Sequence, residues 1–310
     1  MEKLKNSKLL AVVKWVWIAA VFVAVIVYTV NNFSKVEAYF ATIPWTRFLF
    51  AMLLVLAGKV LTMQGARLSV TAGGSEISFW KFFSIFNLTQ LGKYLPGGIW
   101  HFVGRFGTYR SEEMDTKKSL RAMIAENAWL ISSAFLMGVI FLLLFNRSAL
   151  VEYGITLNQT QALLIILVML VGWCIGLLAV QRYGQSLPAL SPRLILKVAL
   201  IYLPAWLCFG LSYGLLFPTM DSFLMGIAIG GFALSWSVGY VAVFAPGGIG
   251  VRELALTFFF TGTAYAAVSP VLASVHRILW VLAELLMGLL VVVVEALRKQ
   301  PANPDTPPDA

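Results

Sequence analysis

Two short stretches of this 310-residue chain join a helix-breaking turn to charged side chains. The first holds Lys93, then Pro96-Gly97-Gly98-Ile99, then His101 and Arg105. The second holds Pro246-Gly247-Gly248-Ile249-Gly250, then Arg252 and Glu253. Proline cannot donate a backbone hydrogen bond, and the glycines that follow allow a sharp turn. A helix starting near Ile99 or Ile249 offers free N–H groups to an anion. Arginine grips phosphate through two parallel bonds, which lysine cannot reproduce. The chemistry these residues suit is phosphate recognition by Arg105, Arg252 and Arg277, assisted by Lys93 and His101. Glu253 and Glu284 are then expected to orient the arginines or to meet a cationic group.

The elements that must position them belong to a membrane. Hydrophobic residues make up 60% of the chain and charged residues 12%, against about 45–50% and about 25% in soluble proteins. A soluble core of this size cannot hide that excess. The net charge of +9 fits a positive-inside bias and attraction to anionic lipid. No nucleic-acid motif accompanies it. Cys174 and Cys208 fall inside apolar runs and read as small buried hydrophobes, not as a disulfide or a metal site. No metal-ligand cluster, Asp-x-Asp or His-x-x-x-Asp is present, so no cofactor is expected.

A spanning helix needs about 20 apolar residues. Runs that satisfy this are 9–30, 44–64, 122–145, 161–181, 194–217, 222–244 and 271–297. The first follows Lys3, Lys5 and Lys8 and reads as a retained helix. Two stretches fit less well. One, 77–108, is expected to enter and return on one side. The other, 251–268, is short and is expected to cross. The fold class is therefore an all-α polytopic membrane protein with 7–8 transmembrane helices plus re-entrant or broken segments, in one domain over 1–299. The polar tail 300–310 reads as disordered. With eight crossings, seventeen Lys and Arg fall on the side of the termini and four on the other. That places both termini in the cytoplasm.

The two breaks also suggest a duplication, with repeats over 1–150 and 151–299. Glu126-Asn127 follows Pro96 at the same offset at which His276-Arg277 follows Pro246. Such repeats would set the two Pro-Gly-Gly-Ile turns across one cavity. Intramembrane charge is costly and faces the interior or a partner. Glu284, near the middle of the last run, is expected to bridge to Arg252 or Arg277. Lys59 is expected to snorkel, and Glu126 to reach the interface. The Gly-x-x-x-Gly spacings 172/176, 210/214 and 226/230 read as close helix packing. Phe79, Phe82, Phe83 and Phe86 share one helical face, suited to the interface or a re-entrant arm, or equally to core packing.

The motif Pro246-Gly247-Gly248-x-Gly250-x-Arg252-Glu253 resembles the membrane domain of the lysylphosphatidylglycerol synthase/flippase family. The earlier Pro96…Arg105 element and the helix "HRILWVLAELLMG" at 276–288 are similar to that family as well. The resemblance implies a multi-pass protein of the bacterial inner membrane that moves an anionic or aminoacylated phospholipid, or a related lipid-linked substrate. Its partners would be membrane lipids, not nucleic acid. Family members that make the aminoacylated lipid carry a soluble synthetase domain after the membrane domain. No such domain lies within these 310 residues, so lysyl transfer is not expected. The alternative is a membrane-embedded transferase, or an accessory subunit bound to an enzyme of glycolipid or polyprenyl-lipid biosynthesis.

Overall fold

The computed structural model describes residues 33–72, 76–94, 99–112, 114–151, 154–183, 192–219, 221–242, 245–261 and 263–298, with isolated positions between 23 and 31. The expected helix 9–30 lies largely outside these residues, as do Pro96, Gly97 and Gly98 and the tail 300–310. The described residues are all helix, turn and loop. In order they form α1 (Phe33–Phe40), α2 (Trp45–Ala72), α3 (Phe79–Gln90), a short 3-10 turn (Leu91–Tyr94), α4 (Trp100–Ser111), α5 (Thr116–Phe145) and α6 (Ser148–Val151). Then come α7 (Gln159–Tyr183), α8 (Pro192–Gly214), α9 (Ser222–Val241), a second 3-10 turn (Pro246–Gly248), α10 (Val251–Phe258) and α11 (Ser269–Arg298).

Five of these are long and apolar enough to cross a membrane: α2, α5, α8, α9 and α11. Helix α7 has 25 residues, of which Gln159–Ile175 form a shorter apolar stretch. The surfaces of α7 and α11 turn leucine, isoleucine and valine outward, including Leu164, Val168, Ile278, Leu282 and Leu289. Apolar faces of this extent need a lipid or protein cover. Cys174 is exposed on α7, not buried as its apolar surroundings suggest, and Cys208 is half-buried; both are free thiols.

The bundle is held close by glycine. A Cβ on Gly210 of α8 would sit 2.3 Å from the Ile229 backbone of α9. One on Gly226 would enter the Phe145 ring, and one on Gly230 would lie 2.6 Å from Phe141 Cβ. In contrast, Gly172 faces open space. Gly210→Ala should therefore lower thermal stability in detergent by about 1–3 kcal/mol, the usual cost of overpacking. Gly172→Ala should not, and an equal loss in both would contradict this packing.

Two elements depart from the long-helix pattern. Helices α3 and α4 form a hairpin: Phe82 stacks on Tyr109 near its mouth, and Arg105 reaches Thr89 and Gln90 near its tip. Twelve residues make a helix of only about 18 Å, so neither arm spans about 30 Å of hydrocarbon. The mouth lies beside the end of α11, where Arg298 covers Trp80. The tip reaches Glu284, near the middle of α11. Phe82 and Phe83 are buried, whereas Phe79 is exposed.

The stretch 251–268 starts beside Gly239 near the end of α9, passes Gly231, and arrives at Phe217 and the start of α11. It thus runs back along α9. It does so as an eight-residue helix followed by turns, not as one helix. Asn146 at the end of α5 donates to the Phe259 carbonyl and secures the change of direction. At the opposite end, Asp115 caps α5 by accepting from the Lys118 N–H at 2.8 Å, which lowers the Asp115 carboxyl pKa.

Candidate functional site

The hairpin tip and the turn at Pro246–Gly248 pack against each other inside the bundle. Gly247, Gly248 and Gly250 all have positive φ, at 61°, 72° and 86°. A Cβ on Gly248 would also lie 2.8 Å from the Gly239 carbonyl oxygen. Both the conformation and the close approach call for glycine. Tyr94 of the tip lies against Gly247, and the Arg277 guanidinium donates to the Gly247 carbonyl at 2.6 Å. Three charge clusters surround this junction.

In the first, Glu284 is buried and accepts four bonds. Lys59 Nζ donates at 2.7 Å, Lys93 Nζ at 2.5 Å, the Tyr94 hydroxyl at 2.7 Å and Trp280 Nε1 at 2.8 Å. The expected bridge from Glu284 to Arg252 or Arg277 is not formed. Lys59 does not snorkel either: it is buried, with Nζ 3.7 Å from the centre of the Trp280 ring. A carboxylate with two ammonium partners is what makes burial of all three charges tolerable.

In the second, Arg105 is paired with Glu126. Glu126 also accepts from the Tyr109 hydroxyl at 3.1 Å, and the guanidinium donates to Gln90 at 3.0 Å and lies over Phe86. Both charges are buried, so Glu126 does not reach the interface as its place in the helix suggests. Arg105 does not line the cavity described below, so its charge is already spent on Glu126 and not offered to a ligand. Arg105→Ala should lose about 3–5 kcal/mol of stability, because Glu126 would remain buried and alone. The double variant Arg105→Leu/Glu126→Leu should recover most of that loss in thermal unfolding. No recovery would count against the pair.

The third is unbalanced. Glu253 accepts from the Gly250 N–H at 2.7 Å and lies 3.8 Å from Arg277 Nε. Its carboxylate therefore occupies the start of α10, where an external anion was expected. Arg252 has no such partner. It is 6% exposed, and its guanidinium lies 4.4 Å from the centre of Phe232 and 4.5 Å from that of Trp280. Among the described residues it makes no hydrogen bond or ion pair.

Arg252 lines a cavity of about 130 Å³ together with Lys93, His101, Arg277, Gly247 and Gly248. Ile99 borders it, and Trp236, Tyr240 and Trp280 form aromatic walls. Of the residues singled out from sequence, Lys93, His101, Arg252 and Arg277 therefore meet in one space. Glu253 and Glu284 stand behind them, and Arg105 is elsewhere. Sequence reasoning missed Tyr94 and Trp280, whose polar tips both reach Glu284. An aromatic that is not purely apolar, four residues before an intramembrane glutamate, was the available signal for Trp280.

A smaller cavity of about 40 Å³ adjoins the first and shares Gln90, Trp236 and Trp280 with it. Among the described residues no three His, Cys, Asp or Glu side chains gather into a set that could hold a metal ion. No protein-family model matches this chain, and no curated protein matches it.

Proposed function

We propose that this chain carries a lipid with an anionic headgroup across the bacterial inner membrane, the headgroup phosphate binding Arg252 and Arg277 while the acyl chains stay in lipid. The observation that carries this reading is Arg252: a buried cation, facing a cavity, stacked on aromatic rings and, among the described residues, in no ion pair. Burying an unpaired charge is expensive, so such a site is completed by a ligand anion. Broken helices near the middle of a bundle are the usual place for a transported substrate. The likeness of Pro246–Glu253 to the lysylphosphatidylglycerol flippase motif supports the same reading. So does Ile99, which borders the cavity and is about half exposed, giving an apolar exit for chains.

The two halves also support the proposed duplication. After each break a short helix leads to a long one, and the two are tied by an ion pair of opposite polarity. Arg105 with Glu126 serves the first half, and Glu253 with Arg277 the second.

Orientation follows from charge. Moving the buried Lys93, Arg105 and Arg252 out of one tally and Arg277 out of the other leaves fourteen against three. Both termini are then cytoplasmic. Single cysteines at the exposed positions Lys117 and Thr156, in a variant lacking Cys174 and Cys208, should be labelled from opposite faces of the membrane, Thr156 from outside. Labelling of both from one face would refute this arrangement. Transport itself is tested in phosphatidylcholine proteoliposomes bearing acyl-labelled anionic lipid, quenched from outside. The wild type should expose inner-leaflet label faster than protein-free vesicles, and equal rates would sink the proposal.

A further inference from the structure

The cavity's charge balance points to the class of headgroup. Besides the balanced Arg105–Glu126 pair, four cationic side chains stand around the junction of the hairpin tip and the Pro246–Gly248 turn: Lys59, Lys93, Arg252 and Arg277. Two carboxylates compensate them, Glu284 for the lysines and Glu253 for Arg277. Two positive charges remain. Neither Glu253 nor Glu284 lines the larger cavity, and no other carboxylate among the described residues does. The Glu253 carboxylate is held by the Gly250 N–H and the Glu284 carboxylate by four donors, so neither is free to greet an incoming amine.

We infer that this site selects a lipid headgroup with two negative charges and no ammonium, a phosphomonoester or diphosphate, over monoanionic diesters and aminoacylated or zwitterionic lipids. The inference rests on the transport reading for its lipid, and departs from the aminoacylated cargo that the family resemblance offers. A dianion cancels the excess, whereas a diester leaves one buried charge unmet. An ammonium group would meet Lys93, Arg252 and Arg277 but no carboxylate among the described residues of the wall, and the Trp280 ring is already covered by Lys59 and Arg252. Lys93 faces the cavity while bonded to Glu284, so it can turn to the ligand without losing its contact with that carboxylate.

The test is binding to the purified full chain in neutral detergent, followed by its melting temperature. The probes are dihexanoyl phosphatidic acid, phosphatidylglycerol and phosphatidylethanolamine, and inorganic phosphate. At pH 8 a phosphomonoester is dianionic, its second pKa being about 6. Phosphatidic acid should bind at least about tenfold tighter than phosphatidylglycerol, the effect of one additional charge-assisted contact. Phosphatidylethanolamine should bind more weakly still. Arg252→Gln should erase the preference between the first two, and the surface change Lys117→Gln should not. Phosphatidylglycerol or phosphatidylethanolamine binding as tightly as phosphatidic acid to the wild type would overturn the inference without any variant. Inorganic phosphate binding as tightly as the lipid would assign the site to a soluble anion and overturn it too. The liposome assay reads separately: selective binding without movement of any lipid would leave the headgroup inference standing and remove transport.

Discussion

Arg252→Gln is expected to reduce lipid movement in proteoliposomes by at least tenfold and to leave the lipid-free protein as stable as the wild type, or more so. Both halves follow from its surroundings. The side chain is buried against Phe232 and Trp280 and, among the described residues, makes no hydrogen bond or ion pair. Two ring faces return about 2 kcal/mol or somewhat more when desolvated, while the unpaired charge costs several. Removing the charge relieves the empty protein. The ligand loses charge-assisted bonds that contribute about 1.5–3 kcal/mol each, which is roughly a tenfold to hundredfold loss. Arg252→Lys should fail in transport nearly as badly, since a point charge cannot form a two-pronged contact. A purely structural arginine predicts the reverse: a lowered melting temperature with normal transport per folded molecule. Transport by Arg252→Gln at the wild-type rate would exclude Arg252 from the anion site.

The second large effect belongs to Glu284. Glu284→Gln should destabilise the protein by about 3–5 kcal/mol, because two buried ammonium groups would lose their shared carboxylate. The result is measured by thermal or denaturant unfolding in detergent. Adding Lys59→Met and Lys93→Met to Glu284→Leu should recover most of the stability, since an apolar replacement of a whole buried ionic cluster is often neutral. The rescued protein should still transport poorly, because Lys93 also lines the cavity. Full stability of Glu284→Gln alone would show that the four bonds to this carboxylate contribute little. Arg252 and Glu284 therefore separate binding from folding, although both lie on Trp280.

The sequence made some of this visible and hid the rest for physical reasons. The long helices were legible because apolar runs of membrane length are hard to mistake: α8, α9 and α11 lie within three residues of the expected bounds, and α5 ends where expected but starts six residues earlier, on its Asp115 cap. The turn at Pro246–Gly250 was legible because three positive-φ glycines in five residues leave few other readings. The return of 77–108 on itself was readable from its polar centre. What 251–268 becomes was not, because turns packed inside protein carry the same apolar residues as a helix. Partner choice was the least legible feature. Lys59 and Glu284 are 225 positions apart, and nothing local to either names the other. Arg105 looked like a ligand-binding arginine because its motif resembles that at Arg252; only the proximity of Glu126 across the α4–α5 turn distinguishes the two.

The ion pairs also set a timetable for synthesis. Arg105 and Glu126 are 21 residues apart, so their cluster can close almost as soon as both have left the ribosome. Lys93 must wait for a residue 191 positions later, and Lys59 for one 225 positions later. At about 5–20 residues per second that is roughly 10–45 s during which two lysines face the bilayer interior without their acid. Until α11 arrives the hairpin tip has no anchor at its deepest point. A nascent chain stalled before Glu284 should therefore remain open to cytoplasmic cysteine reagents at Tyr94→Cys, and should close when the ribosome moves past it. Assembly of this bundle ends with its last helix.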